Sequence, residues 1–152
     1  MTITALYKST YLLNVLIPNY CLTLLDVFNV VCDAVGRVIQ TLPEREPVWA
    51  VTSLDDRLYV LRGNKTDEQI EVYDIDSCRF LQFLTVHGLG DTYAYDIVVC
   101  GHNRCAYICD FIYDNIFKVA LPDRAEAVTR WPVYDKPAHL SHTHTRFAGV
   151  IL

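Results

Sequence analysis

Glycine is scarce in this sequence, with six residues in 152, and none falls in the closely spaced pattern that wraps a phosphate. Nucleotide-binding loops of the P-loop and dinucleotide kinds are thereby excluded. Ser53, Ser77 and Ser141 lie in no G-x-S-x-G elbow, so the strand-to-helix nucleophile of the α/β-hydrolases is missing too. The six cysteines (Cys21, Cys32, Cys78, Cys100, Cys105 and Cys109) make no C-x-x-C pair, which removes the common zinc and redox signatures. Basic residues number 13 against 18 acidic ones, for a net charge of −5 and no long basic block. General binding to nucleic acid or to an anionic membrane surface is excluded on that balance. A spanning helix needs about 20 apolar residues with few interruptions. In the most apolar stretch, from Tyr11 to Val31, Asn14, Pro18, Asn19, Asp26 and Asn29 intrude, and Pro18 breaks a continuous helix. A signal peptide fits little better. Lys8 precedes a short apolar run from Tyr11 to Ile17, but Asp26 and Asp33 stand where cleavage wants small residues.

What remains is rich in strand formers: 52% hydrophobic residues and ten tyrosines. The segment Trp49-Ala-Val-Thr-Ser-Leu-Asp-Asp-Arg-Leu-Tyr-Val-Leu61 recurs as Asp96-Ile-Val-Val-Cys-Gly-His-Asn-Arg-Cys-Ala-Tyr-Ile-Cys109. Tyr59 matches Tyr107 and Leu61 matches Cys109, a period of roughly 48 residues. Short strands repeated at such a period point to β-propeller blades. Within the first unit the strands are expected at Val48 to Thr52, Arg57 to Leu61, Gln69 to Tyr73 and Arg79 to Leu84. In the second they are expected at Tyr95 to Cys100, Cys105 to Asp110, Ile116 to Leu121 and Val128 to Val133, where Pro132 suits only an edge strand. A third unit starts at Pro137 to Thr143, turns at His144 to Arg146 and enters a second strand at Ala148 to Leu152. Leu58 and Val60 on one face, with Tyr59 and Leu61 on the other, describe a sheet buried on both sides.

The expected fold class is all-β: β-propeller blades, each a four-stranded antiparallel repeat, in an incomplete ring. Pro43-Glu-Arg-Glu-Pro47 marks a boundary. Residues 47–152 form the partial propeller (blades 47–86 and 94–133, and a partial blade 137–152), and residues 1–46 form an N-terminal segment. That segment is expected to carry helical turns from Asp26 to Val38, with Val27, Val30, Val31, Ala34 and Val38 on one face. Arg37 to Leu42 reads equally as an outer strand of a degenerate preceding blade. An incomplete ring leaves a strand edge open, which invites self-association or marks a fragment of a larger propeller.

The strands Arg57-Leu-Tyr-Val-Leu61 with Ile70-Glu-Val-Tyr-Asp74, and Cys105-Ala-Tyr-Ile-Cys-Asp110 with Ile116-Phe-Lys-Val119, resemble NHL and WD40-like propeller repeats. The NHL side is the closer match, because no Trp-Asp pair is present and Gly101-His102 sits in a turn inside the blade. The resemblance covers about Pro47 to Leu152. It implies a platform for protein partners. With no catalytic constellation in the sequence, the chain is expected to be non-enzymatic, without a cofactor, and cytoplasmic. NHL-type propellers that bind RNA do so through a basic face, which this chain lacks. An alternative from another class is part of a calcium-dependent six-bladed propeller hydrolase, with Asp or Asn near the channel as ligands.

Local clusters add little chemistry. His139, His142 and His144 read as strand and turn residues rather than a metal site. Asp55-Asp56 and Asp74-Ile-Asp76 read as turn residues whose carboxylates bond the local backbone. Cys100, Cys105 and Cys109 fall on the two strands of one hairpin. They are either small buried apolar residues or partners in a bridge. Asn64-Lys-Thr66 matches the glycosylation sequon. Trp49 and Trp131 read as packing residues. The residues assigned to partner binding are Tyr93, Tyr95 and Tyr113, with Arg104 and Arg130 beside them, because exposed aromatics near arginine anchor protein contacts.

Overall fold

The structure is a computed structural model. It describes residues 12–17, 20–25, 30–32, 37–43, 46–63, 69–110, 112–121, 128–133, 139–143 and 146–151. Among these the chain is all-β. Four strands, β1 (Leu12–Ile17), β2 (Tyr20–Leu25), β3 (Val30–Cys32) and β4 (Val38–Thr41), form a first antiparallel sheet in chain order. A second consists of β5 (Val48–Leu54), β6 (Arg57–Arg62), β7 (Ile70–Asp74) and β8 (Phe80–Leu84). A third consists of β9 (Ala94–Cys100), β10 (Cys105–Asp110), β11 (Asn115–Ala120) and β12 (Val128–Pro132). The last pair is β13 (His139–Thr143) and β14 (Arg146–Ile151). The first strands lie against one another in succession, β1 on β5, β5 on β9 and β9 on β13. No described strand of the last pair touches the first sheet, so the series of sheets is not closed.

Alternating side chains bury both faces of the two central sheets. Tyr59, Leu61, Ile70 and Val72 face one way and meet Ala106, Ile108, Phe117 and Val119 of the next sheet. Leu58, Val60 and Tyr73 face the other way, with Leu42 from the connection after β4. The far face of the third sheet gathers Cys100, Cys105, Tyr107, Cys109 and Ile116, on the side where β13 lies against β9 and β10. Turn chemistry sets the register. Asp55 takes the left-handed φ of 52° that closes the two-residue turn from Leu54 to Arg57, a conformation Asp tolerates. The Asp74 carboxylate accepts hydrogen bonds from the Ser77 amide (2.8 Å) and hydroxyl, which hold the next turn. The same bonds, the hydroxyl's first, lower the Asp74 carboxyl below its ordinary value.

Strand boundaries in the two central sheets fall within about two residues of those the sequence predicts. The N-terminal segment departs from expectation. The helical turns expected from Asp26 to Val38 are replaced, at every described residue of a regular element there, by strands: Val30–Cys32 and Val38–Thr41. Of the residues on the expected helix face, Val30 and Val31 belong to β3, Val38 belongs to β4 and is 63% exposed, and Val27 and Ala34 lie outside the described residues. The β-branched valines of this stretch suit a pleated strand better than a helix, which restricts their χ1 freedom. The outer-strand alternative over Arg37 to Leu42 matches β4. The sequon Asn64 to Thr66 and the turn residues His144 and Thr145 lie outside the described residues, while Arg146 already belongs to β14.

Ile108 is fully buried at the centre of the contact between the two central sheets. Ile108→Ala is expected to destabilise the fold by about 2–5 kcal/mol through lost contacts and a residual cavity. Urea unfolding followed by tryptophan fluorescence measures it.

Candidate functional site

Each central sheet carries a one-residue bulge near the start of its first strand. In the second sheet Val48 faces Arg62 and Ala50 faces Leu61, so Trp49 is the extra residue. In the third, Ala94 faces Asp110 and Asp96 faces Cys109, so the extra residue is Tyr95. Bulges re-aim side chains, and here they turn two aromatics onto each other. Trp49 and Tyr95 meet edge to face with centroids 5.8 Å apart, and Tyr93 stacks on the same indole at 5.8 Å and 15°. Gly63 makes room for the group, since a Cβ there would lie 2.6 Å from Trp49 Cε2. All three residues are half-buried.

The same end of the third sheet bears a tip between β10 and β11. Asp110 is fully buried, and its Oδ1 accepts the amides of Ile112 (2.9 Å) and Tyr113 (3.3 Å). Asp114 follows at a φ of 52°, and its carbonyl accepts the Val133 amide at 2.7 Å. The Asn115 side chain donates to the Tyr113 carbonyl. This scaffold holds two apolar side chains out in water: Ile112 is 45% and Tyr113 55% exposed. Trp131, 39% exposed, stands on β12, paired with Ile116 and lying 5.9 Å from the Tyr107 ring. The Lys118 ammonium lies 5.9 Å from its centroid, within cation–π range.

Behind the aromatic group lies a buried ion pair. Arg62 Nε donates to Glu71 Oε2 at 2.8 Å, with both side chains 1% exposed. The Tyr73 hydroxyl donates to the same oxygen at 2.7 Å, and Arg62 Nη1 reaches the Glu46 carbonyl at 3.1 Å. The arginine thus ties the connection before β5 to the end of the second sheet. Burial first, then the Glu71 carboxylate, pushes the Tyr73 phenol far above its ordinary value. Gln69 and Thr92 fasten the segment after β8, both donating to the Leu89 carbonyl at 2.9 Å.

Of the residues assigned from sequence to partner binding, Tyr93 and Tyr95 come together on Trp49, and Tyr113 shares their end of the third sheet. Arg104 lies at the opposite end, where its Nη1 meets Asp55 Oδ2 of the neighbouring sheet at 3.0 Å. Both partners are more than half exposed, so this ion pair adds only about 0.2–1 kcal/mol. Arg130 lies on the outer strand β12, its guanidinium 5.6 Å from the Phe117 ring. The sequence gives no sign of Ile112 or of the roles of Asp110 and Trp49, and the strand expected at Arg57 to Leu61 stops one residue short of Arg62. Parity carried a usable signal for the ion pair. Arg62 follows Val60 by two, and Glu71 precedes Tyr73 by two, so both point into an apolar face and require a partner. Among the described residues, no group of three or more His, Cys, Asp or Glu side chains is gathered as a metal centre would need, and no helix is long and apolar enough to cross a membrane.

Glu71→Ala leaves the Arg62 charge buried and is expected to cost about 3–5 kcal/mol in chemical denaturation. A second outcome concerns alkaline pH. Burial pushes the Tyr107 phenol up to about 12, against about 10 in the unfolded chain. A raised phenol contributes stability that is complete below pH of about 10 and is lost as pH rises toward 12. Tyr107→Phe is therefore expected to flatten the fall of denaturation midpoint across that interval. No protein-family model and no characterised protein matches this sequence at a significant level.

Proposed function

We propose that this chain is a run of NHL- or WD40-like β-propeller blades serving as a non-enzymatic, cytoplasmic protein-interaction module within a larger ring. The observation that carries the reading is the order of the sheets. Each four-stranded meander starts with a strand packed on the first strand of its neighbour, β1 on β5, β5 on β9, β9 on β13. First strands gathered inward with later strands leading outward is the radial plan of propeller blades. On this reading the first sheet is a blade as well, and β13 with β14 begins a fourth. The open series is completed by further blades, and self-association of this chain is one way to supply them.

The partner-binding surface is the end of the sheets that carries Tyr93, Tyr95, Ile112 and Tyr113. Tyrosines held by bulges and by a buried aspartate present large contact area with little conformational freedom left to lose, as interface anchors do. Arg130 stands on the outer strand of the same sheet and extends that surface. Arg104, at the other end, serves the contact with Asp55.

A peptide-display selection against the immobilised full chain tests this. Selected peptides are expected to lose at least about tenfold in affinity against Tyr113→Ala and to bind Arg104→Ala as they bind the parent. Peptides insensitive to both Tyr113→Ala and Tyr93→Ala, or weakened only by Arg104→Ala, would put recognition elsewhere and defeat the assignment.

A further inference from the structure

Cys100 and Cys105 face each other across the last rung of the β9–β10 hairpin. Both are free thiols, at 2% and 1% exposure, in the same cluster on the far face of the third sheet. Facing residues of an antiparallel pair have Cα atoms about 4.5 or 5.5 Å apart. Either spacing lies inside the range of about 4.4–6.8 Å that a disulfide spans. Tyr107, two residues along β10 from Cys105, packs in the same cluster on that face. Cys109 shares their cluster but stands four residues along β10 from Cys105, opposite Asp96 and Ile116, out of reach of either sulfur in this register. Cys78 belongs to the other sheet's far face.

We propose that Cys100 and Cys105 form an oxidative modification site, a thiol pair that hydrogen peroxide converts reversibly into a cross-strand disulfide. The rung adjoins the exposed turn Gly101 to Arg104, which gives a small oxidant a short path to the sulfurs. The Cys105 thiolate attacks one peroxide oxygen. The O–O bond breaks, a sulfenic acid forms and water leaves. The Cys100 sulfur then attacks the sulfenic sulfur, the S–S bond forms, the S–O bond breaks and a second water leaves. Two thiols have given up two electrons and two protons, and one peroxide has become two waters. Burial raises the Cys105 thiol above its ordinary value, so the thiolate is sparse at neutral pH and the reaction accelerates as pH rises.

The bond would lock the base of a turn that matters beyond its own hairpin. Arg104, immediately before Cys105, sits at a φ of 46°, accepts the Leu121 amide on its carbonyl at 2.7 Å and reaches Asp55 on the adjacent sheet. Oxidation would therefore stiffen the turn from which Arg104 reaches Asp55 of the neighbouring sheet.

Trypsin makes the test direct. It cuts after Arg104, separating the peptide 80–104, which holds Cys100, from the peptide 105–118, which holds Cys105 and Cys109. The folded full chain is treated with hydrogen peroxide, its remaining thiols are alkylated, and it is digested without reductant. The expected product is the two peptides joined, about 2 Da lighter than their sum. Fragmentation should place the bridge at Cys105 with Cys109 alkylated, formation should be faster at pH 9 than at pH 7, and dithiothreitol should reverse it. Separate peptides whose cysteines are alkylated or carried to sulfinic acid would overturn the proposal, as would a bridge that maps to Cys109.

Discussion

Two-sided burial is the constraint from which the rest of this structure follows. In the second and third sheets, nearly every residue of the inner strands is shielded on whichever face it points to. A single solvated sheet lets polar residues alternate with apolar ones, and a sheet enclosed on both sides does not. Such sheets have to be stacked, and short connections between consecutive meanders leave them stacked in chain order. The faces are then used up by packing. Side chains remain accessible at the ends of the strands and along the outer edges, where Phe80, Leu81 and Trp131 are exposed. Any recognition the chain performs on its central sheets has to happen there.

At one of those ends the backbone departs from regularity in the same way twice. The bulges at Trp49 and Tyr95 give two consecutive sheets an aromatic residue that leaves the pleat, and contact between the two rings joins the sheets beyond their apolar interface. Buried charges occur at the matching position on the second strands. Arg62 ends β6 and Asp110 ends β10, and each directs a loop: Arg62 through the Glu46 carbonyl, Asp110 through the Ile112 and Tyr113 amides. Placing a charge in a nearly dry environment is costly unless it is well bonded. Spending that cost at the sheet ends fixes loop conformation where the strand ladder no longer can. An ion pair out in solvent, such as Arg104 with Asp55, has no comparable leverage on the fold.

The central sheets were legible because their signals are local. Alternation of apolar residues, the Asp55-Asp56 turn and Pro132 at the edge each point to one strand or one turn, and a strand pattern survives a small error of register. The repeat was legible only in part, for a structural reason. The two-residue turn after β5 becomes a four-residue turn after β9, so the offset between equivalent residues is about 46 in the first and third strands and about 48 in the second. A bulge has no comparable signature: nothing in Val48-Trp49-Ala50 says that Trp49 is unpaired. The valines before Val38 misled because a short apolar run with spacing near three or four suits a helix face as well as a strand, and burial, not spacing, decides between them.

The residues proposed to meet a partner show the same divide. Exposure of Tyr113 followed from its place in a turn, but its fixed orientation depends on Asp110, whose burial no local pattern announces. Arg104 looked equivalent to the tyrosines in a linear reading, since both stand beside loops. In an antiparallel meander, however, successive turns alternate between the two ends of the sheet. The turn after β9 and the tip after β10 must therefore point in opposite directions, and a residue in one cannot share a contact surface at the strand ends with a residue in the other. That parity of turns follows from strand order alone. It separates a tyrosine-bearing end built for rigidity from an end closed by a surface ion pair and, one rung deeper, by two facing thiols.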